Sequence, residues 1–168
     1  MINDFKIFKQ NFIFKFIIVF LIFIFDRISK EFVIYLSEKS LVNILFTSSF
    51  LNINLIWNDG VAFGLLSFDE LFFYNIVTMT IIIVVIILFV MIYNSSGLSK
   101  YSLLMILGGA LGNLYDRIVF NSVPDFIDLH IGKFHWFIFN IADIFITIGI
   151  IIMIMTEFFI KKDQQYEK

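Results

Sequence analysis

Apolar residues run along this chain in four long stretches separated by shorter polar segments. The first, about residues 16–35, is unbroken only to Phe25; Asp26, Arg27, Ser29, Lys30 and Glu31 then fall inside it. The second, about 71–93, contains IIIVVIILFVMIY and no charged residue. The third, about 101–120, is glycine-rich and closes on Asn113, Asp116 and Arg117. The fourth, about 138–160, opens with Asn140 and Asp143 and continues as ITIGIIIMIM. A helix needs roughly 20 mostly apolar residues to cross the hydrocarbon of a bilayer, so each stretch predicts a transmembrane helix. The period-2 alternation of a transmembrane β-barrel is missing from these continuous runs. One intervening segment, FLNINLIWN, does alternate from Leu51 to Asn58 and predicts a strand. The expected fold class is therefore all-α integral membrane: one domain over residues 1–168, with four transmembrane helices and a small extracytoplasmic β-containing segment on the membrane surface.

Charge orients this arrangement. Lys and Arg near span ends stay on the cytoplasmic side. Lys6, Lys9, Lys15, Lys100, Lys161, Lys162 and Lys168 fall on one side, against Lys39 and Lys133 on the other. Both termini are expected in the cytoplasm, with segments 37–70 and 118–137 outside. Trp57 and Trp136 lie in these outer segments near span ends, where amphipathic rings prefer the interface. The basic amino end and the run 16–25 imitate a cleavable leader, but no small-x-small site follows. The first stretch is read as a retained helix, and the tail DQQYEK as disordered.

Composition narrows the chemistry. Of the 168 residues, 60% are hydrophobic and 15% charged, against about 45–50% and 25% in soluble domains. Twenty-four Phe against one Pro suit lipid-facing helices. The absence of Cys excludes disulfides, thiolate metal sites and a Cys nucleophile. A net charge of −2 implies no nucleic-acid partner. His130 and His135 are the two histidines, neither lies in a span, and no H-E-x-x-H spacing occurs. No metal site and no cofactor are expected.

Ionisable groups inside spans each cost on the order of 2.5–3.5 kcal/mol on insertion scales, so each calls for a reason. Glu157, close to Lys161 and Lys162, reads as interfacial. Asp26 and Lys30 share a helix face at a spacing of four, which suits either a self-neutralising ion pair or a Lys that orients other polar groups. Ser29 adjoins Lys30, but adjacent helical residues point apart, against a Ser–Lys dyad. Gly108 and Gly112 make a small-xxx-small pair for close helix contact. Gly109, Asn113 and Asp116 form one polar face of the third helix; Asn140, Asp143 and Thr147 form another on the fourth. The two faces should look at each other, with Asp125 in the apolar segment VPDFIDLH between them. Two carboxylates held close share a proton. One can then act as general base on water and the other as general acid on a peptide carbonyl. Asp125, Asp143 and Asp116 are all candidates, and spacing alone does not choose among them.

Five blocks now stand in order: DRISK (26–30), NDGVAFG (58–64), GGALGNLYDR (108–117), VPDF (123–126) and FNIAD (139–143). As a set they resemble the prokaryotic lipoprotein signal peptidases, the signal peptidase II family. The resemblance implies that Asp125 and Asp143 are the catalytic aspartyl dyad, and that Asp26, Lys30, Asn58, Gly60, Asn113, Asp116, Arg117 and Asn140 shape or support the site. It further implies an intramembrane aspartyl endopeptidase of the bacterial cytoplasmic (inner) membrane. Such an enzyme removes signal peptides from diacylglyceryl-modified prolipoproteins on the amino side of the lipidated Cys. Its partners would be those substrates and membrane lipid, and the chain is expected as a monomer. The NDGVAFG loop, with two glycines, is a candidate lid. Pro124, where the family usually has a small aliphatic residue, and Phe137, where a Pro is common, depart from the pattern. Two other classes fit the same residues: a proton-coupled transporter using Asp26, Asp116 and Asp143 as a relay, and a non-enzymatic assembly subunit using the glycine face.

Overall fold

The computed structural model describes residues 2–60 and 70–166, so most of the candidate lid, residues 61–64, lies outside the described residues. In chain order the elements are α1 (Ile2–Ser40), β1 (Ile44–Thr47), β2 (Leu51–Asn58), α2 (Glu70–Asn94), α3 (Gly97–Phe120), β3 (Val123–Ile131), β4 (Phe134–Phe139) and α4 (Ile141–Tyr166). The molecule is mostly helical, with one antiparallel sheet of order β1-β2-β3-β4.

Among the described residues, three helical segments are long and apolar enough to cross a membrane: Tyr74–Asn94, Gly97–Phe120 and Ile141–Phe159. Of these, α3 is the most enclosed and packs against α1, α2 and α4. Its core with α2 is built from Val85, Leu88, Leu103, Ile106, Leu107 and Ala110. The outer helix surfaces remain strongly apolar: Phe16, Phe20 and Phe25 on α1, Ile86 and Phe89 on α2, and Ile151 and Phe158 on α4 are all exposed. A contiguous apolar exterior of this kind belongs in lipid rather than water. At 39 residues α1 is roughly 58 Å long, well beyond one bilayer. Its far end packs under the sheet, where Val33 meets Leu55 and Phe126.

The expected strand from Leu51 to Asn58 is β2. Three further strands pair around it, and the cross-strand register sets Asn58 opposite Val123 and Ile56 opposite Asp125. Asn58 and Asp125 thus become diagonal neighbours. Pro124 sits at the start of β3. Pairing with β4 begins only at Ile127 with Phe139, so on that side its missing N–H removes no ladder bond. Asn121, in the left-handed region at φ 55, ends α3 and turns the chain into β3; Asn is among the few residues that adopt this conformation readily.

Several boundaries differ from the sequence-based expectation: α1 (Ile2–Ser40) and α3 (Gly97–Phe120) run beyond the expected stretches 16–35 and 101–120. α4 begins at Ile141, because residues 138–139 belong to β4 and Asn140 caps the helix. The tail expected to be disordered is helical as far as Tyr166, one continuous extension of α4.

Candidate active site

Two layers of polar groups meet where α1, α3, the sheet and the start of α4 converge. The inner layer centres on Lys30, which is fully buried. Its ammonium donates to Asp26 Oδ2 at 2.9 Å, Asn113 Oδ1 at 2.9 Å and Asp116 Oδ2 at 2.7 Å, satisfying all three of its protons. Arg27 forms ion pairs with both Asp26 and Asp116 and lies over the Tyr115 ring, 4.9 Å from its centroid. Asp26 Oδ1 accepts the backbone N–H of Ala142 at 2.9 Å. A carboxylate from α1 therefore satisfies an otherwise orphaned donor in the first turn of α4. This contact explains two glycines of α3, Gly109 and Gly112. A Cβ on Gly112 would stand 2.5 Å from Asp26 Oδ2, and one on Gly109 2.5 Å from the Ala142 carbonyl. Both of the uses foreseen for Lys30 are realised: it pairs with Asp26 and it also fixes Asn113.

The outer layer holds Asp125 and Asp143. Asp125, on β3, accepts the side-chain amides of Asn58 at 2.8 Å and Asn140 at 2.6 Å. Asp143, in the first turn of α4, accepts the side-chain amide of Asn113 at 2.8 Å and the Asn140 backbone N–H at 3.1 Å. Asn140 Oδ1 in turn accepts the Asp143 backbone N–H at 3.1 Å. Asn140 and Asp143 thus form a reciprocal capping box, and the remaining amide of the cap residue reaches Asp125. The division between layers is chemical. Asp26 and Asp116 are neutralised by Lys30 and Arg27, whereas Asp125 and Asp143, among the described residues, are hydrogen-bonded by amide N–H groups. Burial pushes the Asp125 carboxyl up to about 6, with the charge of Asp143 adding to the effect and the amides of Asn58 and Asn140 opposing it.

The ten residues that the resemblance implies for the site all lie in or beside these two layers. Asn58 is fixed by the Gly60 N–H, which donates to its Oδ1 at 2.8 Å. Gly60 has φ 79, and a Cβ there would meet the Arg117 guanidinium at 2.9 Å. Arg117 also lies over Tyr74, whose hydroxyl donates to the Arg117 carbonyl. Thr147, expected on the polar face with Asn140 and Asp143, lines a cavity together with Asp143. The sequence reading passed over Arg27 as a partner of Asp116, although it is charged and adjacent to Asp26. It also passed over Asp128, which the sheet brings together with His130 and His135.

That cavity, of about 550 Å³, opens beside the outer layer. Phe50, Trp136, Phe137, Phe139 and Ile148 supply apolar wall, and Asp143 is its one carboxylate among the described residues. Phe137, the second departure noted in the sequence, is therefore part of the wall. A carboxylate at the edge of an apolar chamber is the arrangement expected of a site that binds a largely apolar ligand and orients it through a polar group.

The family model described as Signal peptidase (SPase) II matches residues 18–159. The chain belongs to this family. Among relatives, the lipoprotein signal peptidase of Pelagibacter ubique (strain HTCC1062) is 44% identical over 163 residues, covering 97% of this chain and 98% of the relative. That of Aquifex aeolicus (strain VF5) is 41% identical, covering 83% of each. A solved structure of a bacterial membrane enzyme is similar at TM-score 0.65 and 32% identity, over 92% of this chain and 91% of the other. As a signal peptidase II, the chain is a peptidase and, with its apolar helices, a bacterial membrane protein. Family membership sets aside the transporter and assembly-subunit readings.

Proposed function

We propose that this peptidase cleaves signal peptides from diacylglyceryl-modified prolipoproteins, on the amino side of the lipidated Cys, with Asp125 and Asp143 as its catalytic dyad. The observation that carries the reading is Asn140, whose side chain bonds Asp125 and whose backbone bonds Asp143. One residue thereby holds two carboxylates that lack a cation partner among the described residues. Asp116, the rival, is bound to Lys30 and Arg27, which gives it a structural task.

In this mechanism one aspartate is ionised and the other protonated. The ionised carboxylate takes a proton from water as its oxygen attacks the peptide carbonyl carbon. The protonated carboxyl donates to the carbonyl oxygen, giving a neutral gem-diol. On collapse, the C–N bond breaks, the amine nitrogen takes up a proton from the dyad, and the carboxyl product leaves. Asp26, Lys30, Asn58, Gly60, Asn113, Asp116, Arg117 and Asn140 act as positioning residues. The enzyme is read as a monomer.

α1 is the fourth membrane span in this reading. Its exposed Phe residues meet lipid while its buried charges, Asp26 and Lys30, face the bundle. The excess of Lys on one side puts both termini in the cytoplasm and the sheet on the outer face of the cytoplasmic (inner) membrane. The cavity then opens where acyl chains can enter from the bilayer. Those chains already sit in lipid, so they set the depth of the scissile bond more than they add affinity, and position governs turnover.

Matched precursors, with and without the diacylglyceryl group, test this on the purified enzyme in liposomes. Only the lipidated precursor should be cleaved; equal rates on both would refute lipid-dependent specificity.

A further inference from the structure

The sheet carries a second group of side chains that peptide hydrolysis does not use. His130 on β3 and His135 on β4 are direct cross-strand partners, their rings stacked with centroids 4.8 Å apart. His135 Nδ1 lies 2.9 and 3.0 Å from the two oxygens of Asp128. Asp128 is only 5% exposed. Asn52 on β2 donates to its Oδ2 at 3.0 Å and so fixes the plane of the carboxylate. His130 Nδ1 is buried and has no hydrogen-bond partner among the described residues. One donor atom from each of Asp128, His130 and His135 falls within 4.8 Å of the others.

Two imidazoles and one carboxylate are the donors of a zinc-type ion in four-coordination, the fourth position going to water. Hard cations such as Mg²⁺ and Ca²⁺ require oxygen ligands and are poorly served by two ring nitrogens. Bonds of about 2.0–2.1 Å in tetrahedral geometry set donor atoms roughly 3.3–3.4 Å apart. The His135–Asp128 separation needs to widen by only a few tenths of an ångström to admit such an ion. His130 must move somewhat more, and its side chain is carried on the strand next to half-exposed His135. Asn52 supplies the orienting outer contact that metal-bound carboxylates commonly have. We propose that Asp128, His130 and His135 form a binding site for a zinc-type transition-metal dication that fastens β3 to β4. His130 shares the cavity wall with Asp143, β3 carries Asp125, and β4 leads directly into Asn140. The ion therefore pins the two strands that deliver the catalytic groups.

The test uses the full-length chain without an affinity tag, stripped with chelator in detergent micelles and titrated with Zn²⁺ by calorimetry. A single site is expected, with Zn²⁺ raising the thermal midpoint and Mg²⁺ and Ca²⁺ giving neither effect. His130→Gln and His135→Asn should each weaken binding roughly tenfold or more and abolish the thermal shift, while far-UV circular dichroism and a monodisperse gel-filtration profile report that the variants are folded. Should either variant fail to fold, Co²⁺ bound to the wild-type chain decides: intense visible absorption of a tetrahedral complex supports the site, and its absence overturns it. The proposal also fails if the wild-type chain does not bind Zn²⁺ at micromolar concentration. It fails equally if the His130→Gln/His135→Asn double variant binds as wild type, or if Asp125→Asn/Asp143→Asn, rather than the histidine variants, removes binding.

Discussion

The side-chain amide of Asn140 donates to Asp125 Oδ1 at 2.6 Å. The same residue is the cap of α4, so the start of that helix and the position of one carboxylate are set together. Asn140→Ala should cost about 1 kcal/mol for the lost cap. It should also lower kcat by about 10²-fold, the scale on which small misplacements of reacting groups act. Steady-state kinetics beside thermal unfolding measure both; a stability loss with unchanged kcat would show that Asn140 merely caps the helix.

Lys30 is expected to matter in a different way. Lys30→Met leaves the buried Asp26 and Asp116 with Arg27 as their one remaining cation among the described residues, one positive charge for two carboxylates, and breaking a buried pair from one side costs about 3–5 kcal/mol. The variant should accumulate poorly in the membrane and melt early. Adding Asp116→Asn, which removes one stranded charge, should restore part of the folded yield. If Lys30→Met alone yields normal amounts of protein with a wild-type melting temperature, the inner layer is not the buried network described.

Asp125 links protonation to stability. Its carboxyl is raised from the ordinary 3.8 to about 6, so between these values the folded state holds a proton that the unfolded state has released. This group therefore penalises the fold at pH 7, and the penalty is relieved as pH falls through 6. Asp125→Asn has no such penalty. The wild type should gain on the variant by about 2–3 kcal/mol on going from pH 7 to pH 4, followed through unfolding midpoints. A gap independent of pH, or one moving in the opposite direction, rules out a raised Asp125.

Much of this site could be read from the chain alone, but unevenly. Helical spacing placed Asn113 and Asp116 on one face of α3 and Asn140 and Asp143 on one face of α4, because helices make such relations local. The alternation from Leu51 to Asn58 revealed β2. β3 was hidden: VPDFIDLHI is almost wholly apolar around its two aspartates, and register shifts on both of its sides blur the period of two. The choice between Asp116 and Asp125 was beyond spacing, since it turns on Lys30, which lies 86 residues before Asp116. It came from the family resemblance. The Asp128–His130–His135 cluster escaped for a related reason, as its members meet across a strand pair rather than along a helix.

The central claim is the dyad, and substitution of single oxygens by amide tests it most directly. The measurement is turnover of a lipidated precursor by purified, membrane-inserted Asp125→Asn, Asp143→Asn and Asp116→Asn enzymes. Asn keeps the size of Asp but cannot exchange a proton, so the first two should be folded and show no turnover, whereas Asp116→Asn should lose stability and keep part of its activity. Wild-type-like turnover by Asp125→Asn or Asp143→Asn, or a folded and wholly inactive Asp116→Asn beside an active Asp125→Asn, would contradict the assignment.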